Sequence, residues 1–320
     1  MGSSSHRRRR KPWYRRLRRW VIKRRTPIGL IAAAVVGAAI VVVAFNYNPA
    51  QSDNAGTVPA PAVTRKPIPT ATPTPTGPSI PVFTPGPGIF TATVDEPGQI
   101  RGNLDGQSIL VRWNPDVPTV GVALWSHGQG GNETALETST WFDVIMENGW
   151  MVASSDMGGN NWGNDVGVQS LVDLSQFART RAGTDNQMLV AASMGGVATL
   201  NALRFGALPG ECWYGAKPAV DLAAVALTAP NALAQVRNAY AGTMPPLWNP
   251  ASGDPLLPVA RYRTIASPSD TIIVKAQNAD LLPSIVAPGS EITAVQSVGD
   301  HEDISNLNPV DLAEFAAGCV

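Results

Sequence analysis

Short apolar runs separated by turn residues follow one another from about residue 90 to the C-terminus. One such run, 188–192, is typical of a buried strand, and apolar side chains then recur at helical spacing up to Leu203. Small residues surround Ser193 between the two patterns. The segment 187–203 is therefore predicted to be a strand, a sharp turn and a helix, with Ser193 at the turn.

The same patterns predict further elements on both sides of this segment. Strands are predicted at 90–94, 108–113, 119–125, 150–155, 223–228, 263–266 and 292–298, and helices at 136–148, 168–180 and 310–317. Turn residues at 103–106 favour an antiparallel pair of the first two strands. Strands that alternate with helices predict a mostly parallel sheet with helices on both faces, and functional side chains at the carboxyl ends of its strands.

The N-terminus has a different character from the rest of the chain. The first 25 residues hold twelve of the 24 Lys and Arg residues and no Asp or Glu, and the stretch 26–45 is uncharged and strongly apolar. Twenty helical residues extend about 30 Å, the thickness of a bilayer core. Positive charge before the span places that end in the cytoplasm. We predict a basic cytoplasmic segment at 1–25, a single membrane helix at 26–45 and a body outside the cell.

Other interpretations of this region stay open. A cleaved signal peptide is disfavoured because the apolar part is long and no Ala-x-Ala site follows residues 43–45. Residues 18–23, RRWVIK, weakly resemble a twin-arginine export signal. The basic block could bind nucleic acid, but beside a membrane span it is explained more simply as an orientation signal that attracts anionic lipid.

A linker and a folded body follow the apolar stretch. Residues 46–88 are rich in Pro, Thr, Ala and Gly, and such a segment cannot bury enough apolar surface to fold. We predict a spacer there and a single folded domain at 89–320. From residue 26 onward the chain carries twelve basic and 24 acidic residues, a net charge of −12, which argues against a nucleic-acid partner for the body.

The turn at Ser193 carries a recognisable motif. Residues 191–195 read A-A-S-M-G, which resembles the G-x-S-x-G nucleophile motif of the α/β-hydrolase fold family, with Ala191 in place of the first glycine. The resemblance covers about residues 90–317. It implies an α/β-hydrolase fold, a nucleophilic serine at Ser193 and an oxyanion hole. By the same resemblance, the H-G-Q-G-G loop at 127–131 and the residue after the serine supply its amides, Gln129 N–H and Met194 N–H.

A serine nucleophile needs a histidine base, and the histidine needs a carboxylate that orients it. The body contains two histidines. His127 lies in the glycine loop, where we expect it to brace the backbone, so His301 is the predicted base. Asp270 follows a predicted strand between Ser193 and His301 and gives the order Ser, Asp, His of the family. Asp156 is the alternative acid.

Neighbouring carboxylates and cysteines complete the candidate set. Asp300 and Asp303 are too close to His301 in sequence to reach its Nδ1 easily. Trp162, in a Gly- and Asn-rich loop, either lines the substrate pocket or is an ordinary buried tryptophan. Cys212 and Cys319 are the only cysteines, and outside the cell they either pair or remain two free thiols.

These observations predict an extracellular, membrane-anchored serine hydrolase. A carboxylesterase that forms an acyl-enzyme on a small-molecule or acyl-ester substrate is the favoured activity. Peptidase, thioesterase or acyltransferase action, and a non-catalytic surface-binding module on the same fold, remain alternatives. The histidines are too few and the cysteines too far apart for a metal site, and no phosphate-binding loop appears, so no metal and no cofactor is expected. The segment after residue 230 is short and predicts a small lid or an open cleft.

Overall fold

A computed structural model describes residues 79–229 and 231–320 of the chain. The predicted basic segment, the membrane span and most of the linker lie outside these residues. Within the described part, no helix is both long and apolar enough to cross a bilayer.

Strands and helices alternate through most of the described chain. The strands are β1 (Phe90–Glu96), β2 (Gln99–Leu104), β3 (Gln107–Arg112), β4 (Gly121–Ser126), β5 (Trp150–Ser155), β6 (Gln187–Ala192), β7 (Cys212–Ala216), β8 (Arg261–Ala266) and β9 (Glu291–Gln296). The α-helices are α1 (Ala135–Thr138), α2 (Asp143–Met146), α3 (Asp165–Ala182), α4 (Met194–Arg204), α5 (Leu222–Thr228), α6 (Ala232–Ala239), α7 (Leu282–Ile285) and α8 (Pro309–Ala317). Short 3-10 helices occur at Thr140–Phe142, Pro246–Trp248, Pro250–Ser252, Lys275–Gln277, Ala279–Leu281 and Ile304–Asn306.

The described strands form one nine-stranded sheet in the order β1-β2-β3-β5-β4-β6-β7-β8-β9. The pairs β1-β2, β2-β3 and β3-β5 are antiparallel, and the pairs from β5 through β9 are parallel. The mostly parallel sheet predicted from the sequence is therefore confirmed. Because parallel strands end at the same edge, the loops after β4, β6, β7, β8 and β9 all lie at one rim.

Helices cover both faces of the sheet. Along β4, Val122 and Leu124 belong to one buried apolar cluster, which α3 and α4 complete. Ala123 and Trp125 point to the opposite face, where side chains of α2 and α8 such as Phe315 bury them. Side chains of successive strand residues alternate between faces, so a strand buried on both sides is mostly apolar, as β4 is up to its last residue, Ser126.

One predicted strand is wrong. Residues 223–228 form helix α5, and the place between β6 and β8 belongs to β7, Cys212–Ala216. The helix is rich in Ala and Leu, and Asp221 caps it by accepting a hydrogen bond of 2.9 Å from Ala223 N–H. Leu227 is 86% exposed, so the apolar run that suggested a buried strand is partly at the surface.

Two smaller differences concern the first half of the domain. The predicted pair of strands is not direct, because β2 lies between β1 and β3 and pairs with both. The sequence of β2, QIRGNL, is too polar to reveal a strand by its pattern. The predicted helix 136–148 is broken into α1, a 3-10 turn and α2, because Ser139 adopts an extended backbone with φ −80° and ψ 112°.

The end of the predicted linker contacts the body. Gly86 N–H donates to Asp173 at 2.8 Å and Ile89 N–H donates to Asp105 at 2.8 Å. Phe83 packs edge-on against Trp248, with ring centroids 6.4 Å apart. Residues 83–89 are thus held on the surface of the folded domain.

The segment after residue 230 consists of α6 and two 3-10 turns and forms no separate domain. Arg204 of α4 holds it by donating to the carbonyls of Asn249, at 2.8 Å, and of Asp254. Burial lowers the pKa of Arg204 to about 10, and the neighbouring Asp254 carboxylate partly opposes this shift.

Candidate active site

Ser193 occupies a strained turn between β6 and α4. Its backbone has φ 51° and ψ −122°, a conformation that non-glycine residues rarely adopt and that is typical of functional positions. Gly195 permits this turn, because a Cβ at this position would lie 2.1 Å from the carbonyl oxygen of Ser126. Ala191, at the family's first glycine position, is fully buried in the core, so its methyl group is accommodated.

The loops after β8 and β9 bring two further side chains to Ser193. His301 Nε2 lies 3.0 Å from Ser193 Oγ, and His301 Nδ1 lies 2.6 Å from Asp270 Oδ2. All three residues are buried, with exposed fractions of 3 to 7%. The structure thus brings together the predicted nucleophile, base and acid in one hydrogen-bonded chain.

The Asp270 carboxylate is fixed through both of its oxygens. Oδ1 accepts hydrogen bonds of 2.9 Å from the N–H groups of Ile272 and Ile273, and Oδ2 faces His301. Burial opposes its ionisation, but the hydrogen bonds from His301 and from these amides outweigh that effect and hold the pKa of Asp270 below its usual value. An ionised Asp270 accepts a hydrogen bond from His301 Nδ1–H, which leaves Nε2 free to accept a proton from Ser193 Oγ.

Three residues that the sequence analysis missed hold the His301 loop. Asn306 is fully buried, and its Nδ2 donates to the carbonyls of Asp300, at 3.0 Å, and His301, at 3.3 Å. Ser267 Oγ donates to the Gly299 carbonyl at 2.6 Å.

The third missed residue is Lys217, whose Nζ donates to the His301 carbonyl at 2.5 Å. It directly follows β7, the strand that the sequence pattern did not reveal, so no signal placed it near the site. Ser267 and Asn306 are common residue types in loops, and only the tertiary contacts distinguish them.

The predicted oxyanion amides lie close to the nucleophile. The glycine loop passes beside Ser193, because a Cβ added to Gly128 would lie 3.8 Å from Ser193 Oγ. Gln129 lines the same cavity as Ser193, and Met194 N–H begins α4. Among the residues that the structure describes, neither Gln129 N–H nor Met194 N–H donates a hydrogen bond to another protein atom. Both N–H groups can therefore bind a negatively charged oxygen.

His127 orients one of these amides. Its Nδ1 lies 2.8 Å from the Gly128 carbonyl oxygen, which also accepts from Gly131 N–H at 3.1 Å. In a trans peptide the C=O and N–H groups point in opposite directions, so holding the Gly128 carbonyl fixes the direction of Gln129 N–H. The other ring nitrogen, Nε2, lies 3.3 Å from the Asp156 carbonyl. A neutral imidazole has one N–H and can donate to only one of these carbonyls, and the shorter contact favours the Gly128 carbonyl as its acceptor, so the ring braces the loop as expected.

Asp156 does not approach His301. Its carboxylate accepts from Ser108 N–H at 3.4 Å and from Gly158 N–H at 3.3 Å, and so stabilises its own loop. Asn160 of the same loop accepts from Gly130 N–H at 2.7 Å, which links it to the glycine loop. The alternative acid is therefore not in place.

A cavity of about 380 Å³ opens beside Ser193 Oγ. Its lining is mostly apolar and includes the following side chains: Trp125, Ala135, Trp162, Ala192, Ala229, Ile272, Ile273 and Leu307. Trp162 is 1% exposed, and its indole N–H donates to Gln235 at 3.3 Å. It is both a buried tryptophan and part of the cavity wall.

The two cysteines form a disulfide bond, Cys212–Cys319, which ties β7 to the C-terminus. It therefore anchors the segment after α8 next to the central strands. Across the part of the chain that the structure describes, no group of three or more His, Cys, Asp or Glu side chains is placed to hold a metal ion.

Comparison with known proteins identifies the fold. No family model matches the sequence, and no curated protein is significantly similar to it. Among solved structures, FphF, a fluorophosphonate-binding serine hydrolase of Staphylococcus aureus, is similar with a TM-score of 0.54 and 13% identity over 73% of this chain and 100% of that chain.

Two further solved structures are similar to this chain to a comparable degree. Est1E of Butyrivibrio proteoclasticus has a TM-score of 0.53 and 13% identity over 69% of this chain and 98% of that one. An S-formylglutathione hydrolase of Agrobacterium tumefaciens has a TM-score of 0.51 and 15% identity over 72% and 99% of the two chains. The chain has the α/β-hydrolase fold.

Proposed function

We propose that the protein is a serine hydrolase that cleaves carboxylic esters through an acyl-enzyme. The observation that carries this proposal is the hydrogen-bonded chain from Ser193 through His301 to Asp270, next to two amides that have no acceptor among the described residues. A structural cluster would have no need of a strained serine or of unpaired amides around it.

The first half of the reaction follows from this geometry. Ser193 Oγ attacks the ester carbonyl carbon while His301 Nε2 takes the hydroxyl proton, and Asp270 stabilises the resulting imidazolium. The carbonyl oxygen becomes negatively charged and is bound by the N–H groups of Gln129 and Met194. His301 then returns the proton to the leaving alkoxide, and the acyl group stays on Ser193.

The second half repeats these steps with water. His301 takes a proton from water, the resulting hydroxide attacks the acyl carbonyl, and the proton returns to Ser193 Oγ as the acid leaves. Each oxyanion donor contributes about 2.7–4 kcal/mol of transition-state stabilisation in enzymes of this kind. A peptidase, thioesterase or acyltransferase shares the first half and differs in the leaving group or the acceptor.

Two observations support hydrolysis of a small ester. The cavity is small and mostly apolar, which suits a short acyl group. Two of the similar structures are named as a serine hydrolase and an S-formylglutathione hydrolase, which supports hydrolysis as the class of reaction. The alkoxide of an ester also leaves more readily than the amine of an amide, so proton transfer from His301 is sufficient to expel it.

The test is covalent labelling of the full-length chain with a fluorophosphonate probe. We expect labelling of the wild type and none of Ser193→Ala. A panel of esters, thioesters and amides then ranks the activities. Equal labelling of the two proteins, or labelling of the wild type without turnover of any substrate in the panel, would contradict the proposal.

We further propose that the catalytic body lies outside the cell, anchored by residues 26–45. The basic segment before that stretch supports this orientation. The Cys212–Cys319 bond agrees with it, since disulfides persist in oxidising compartments. Protease added to intact cells should then digest the body, and protection until the cells are lysed would contradict this location.

A further inference from the structure

Lys217 is a charged residue at the rim of an otherwise mostly apolar cavity. It follows the last residue of β7, and Ser193 N–H donates to that residue, Ala216, at 3.2 Å. The side chain of Lys217 is 11% exposed and lines the cavity together with Ser193 and His301. Among the residues that line this cavity in the described chain, it is the only Lys or Arg, and Glu302 is the only Asp or Glu.

The ammonium group has capacity for another ligand. It donates to the His301 carbonyl at 2.5 Å and lies 3.5 Å from a carboxylate oxygen of Glu302. An ammonium carries three N–H donors, and these are its two acceptors in the part of the chain that the structure describes. The third donor has no acceptor among the described residues, and the residue lines the cavity.

The Glu302 carboxylate already pairs with the Lys217 ammonium group, and a substrate carboxylate can displace it. Its side chain is 81% exposed, and a pair of that exposure contributes little to stability. A carboxylate of a bound substrate would exchange one weak ion pair for another that is more buried and therefore stronger. The exchange leaves the bond from Lys217 to the His301 carbonyl intact.

The surrounding charge makes this position distinctive. From residue 26 onward the chain has twelve basic and 24 acidic residues, so its net charge opposes the approach of an anion. A carboxylate finds a compensating charge beside the nucleophile at Lys217. An uncharged ester receives no such contribution.

We propose that Lys217 is a specificity-determining residue that selects esters with a carboxylate close to the scissile bond, in either the acyl or the alcohol part. The inference rests on the proposed ester hydrolysis at Ser193 and adds the class of ester to it. Glu302 competes with the substrate carboxylate for the same ammonium group.

Matched pairs of esters test the proposal on the full-length protein. For the acyl part, 4-nitrophenyl hydrogen succinate is compared with 4-nitrophenyl valerate. For the alcohol part, 4-acetoxybenzoate is compared with its methyl ester. The readout is the ratio of kcat/KM for the anionic and the neutral ester, corrected for their rates without enzyme at the same pH, which for the succinate ester include attack by its own carboxylate. The pair whose ratio responds to Lys217 identifies the part of the substrate that carries the carboxylate.

Two variants should change this ratio in opposite directions. Lys217→Met removes the charge and should lower the ratio by roughly five- to tenfold, as expected for one partly buried charge pair, while Lys217→Arg should largely retain it. Glu302→Gln removes the competitor and should raise the ratio about twofold or more. Glu314→Gln is the matched control, because Glu314 is 72% exposed and pairs with Arg263 at 3.7 Å, away from the cavity.

The outcomes separate this inference from the proposed function. Ser193-dependent turnover with the same ratio in the wild type, Lys217→Met and Glu302→Gln overturns the inference and leaves the hydrolase in place. If Lys217→Met does not fold, Glu302→Gln decides: a rise in the ratio of kcat/KM supports the inference, and an unchanged ratio overturns it. A wild type without Ser193-dependent turnover removes the proposed function, and this inference with it.

Discussion

His301 Nε2 lies 3.0 Å from Ser193 Oγ, although the two residues are 108 positions apart in the chain. The strain at Ser193, with its positive φ of 51°, directs the hydroxyl towards the loop after β9, and Asn306 and Lys217 hold that loop in place. Proton transfer between these two atoms needs no rearrangement of the backbone.

Replacement of Asp270 by Asn should reduce turnover and leave substrate binding nearly unchanged. The amide can donate to Nδ1, which favours the tautomer with its proton on Nε2, where it cannot accept the Ser193 proton. We expect kcat to fall about 10³- to 10⁴-fold. Steady-state kinetics on a neutral ester measures this. Asp156→Asn is the control, and a comparable loss in that variant would contradict the assignment of the acid.

Replacement of His127 by Ala should weaken the oxyanion site without removing the nucleophile. Gln129 N–H would lose its fixed direction, because the Gly128 carbonyl loses the hydrogen bond from the ring. We expect kcat to fall about 10- to 100-fold, less than for removal of a whole donor. The slow reaction with a fluorophosphonate should remain detectable. A loss as large as that of Ser193→Ala would instead indicate that His127 transfers protons.

The stability of the protein should depend on the ionisation of Asp270 at acid pH. The pKa of this carboxyl is lowered in the folded state, so its stabilising effect is complete above the ordinary value of 3.8 and is lost as the pH falls through the folded value. The difference in unfolding free energy between wild type and Asp270→Asn should therefore shrink below about pH 4. Urea unfolding from pH 7 to 2.5 measures it, and a constant difference would contradict the prediction.

Removal of the disulfide should destabilise the domain. The bond joins two residues that are 107 positions apart in the chain, and a cross-link over so long a loop strongly restricts the unfolded chain. We expect Cys212→Ser/Cys319→Ser to lose about 2–5 kcal/mol of unfolding free energy. The double variant avoids a leftover free thiol, and thermal unfolding with and without reductant provides the comparison. A wild type whose unfolding is insensitive to reductant would contradict the prediction.

A buried polar network between α8 and the sheet should also be sensitive to mutation. Asp311 accepts from Tyr214 OH at 2.7 Å and pairs with Arg263 at 2.8 Å, and its side chain is 8% exposed. Burial, together with this carboxylate, raises the pKa of Tyr214 above its usual range.

Asp311→Ala leaves the largely buried Arg263 charge with only the exposed Glu314 carboxylate, at 3.7 Å, so we expect a loss of about 3 kcal/mol in unfolding free energy. The exposed neighbour Glu314, replaced by Gln, should change stability by less than about 0.5 kcal/mol. Equal effects of the two substitutions in chemical unfolding would contradict the role of the buried pair.

The fold class was accessible from the sequence because its signals are local. Strands such as β4 and β5 are mostly apolar, and the strand, turn and helix around Ser193 follow one another within 18 residues, Gln187–Arg204. By contrast, β7 was missed and α5 was predicted as a strand, because the short apolar run at 223–228 fits either structure by pattern alone. The choice depended on the Asp221 cap and on which segment fits between β6 and β8.

The sequence by itself determined the order of the chemical groups: a serine in a strained turn, two histidines in the body and a carboxylate between Ser193 and His301. Residue types and their spacing along the chain were sufficient to establish this order. The tertiary structure alone decided which carboxylate faces His301, that His127 holds a peptide group, and that Lys217 reaches the site. These are contacts between loops far apart in the chain, and the parallel sheet brings the loops to one edge without any mark in their own sequences.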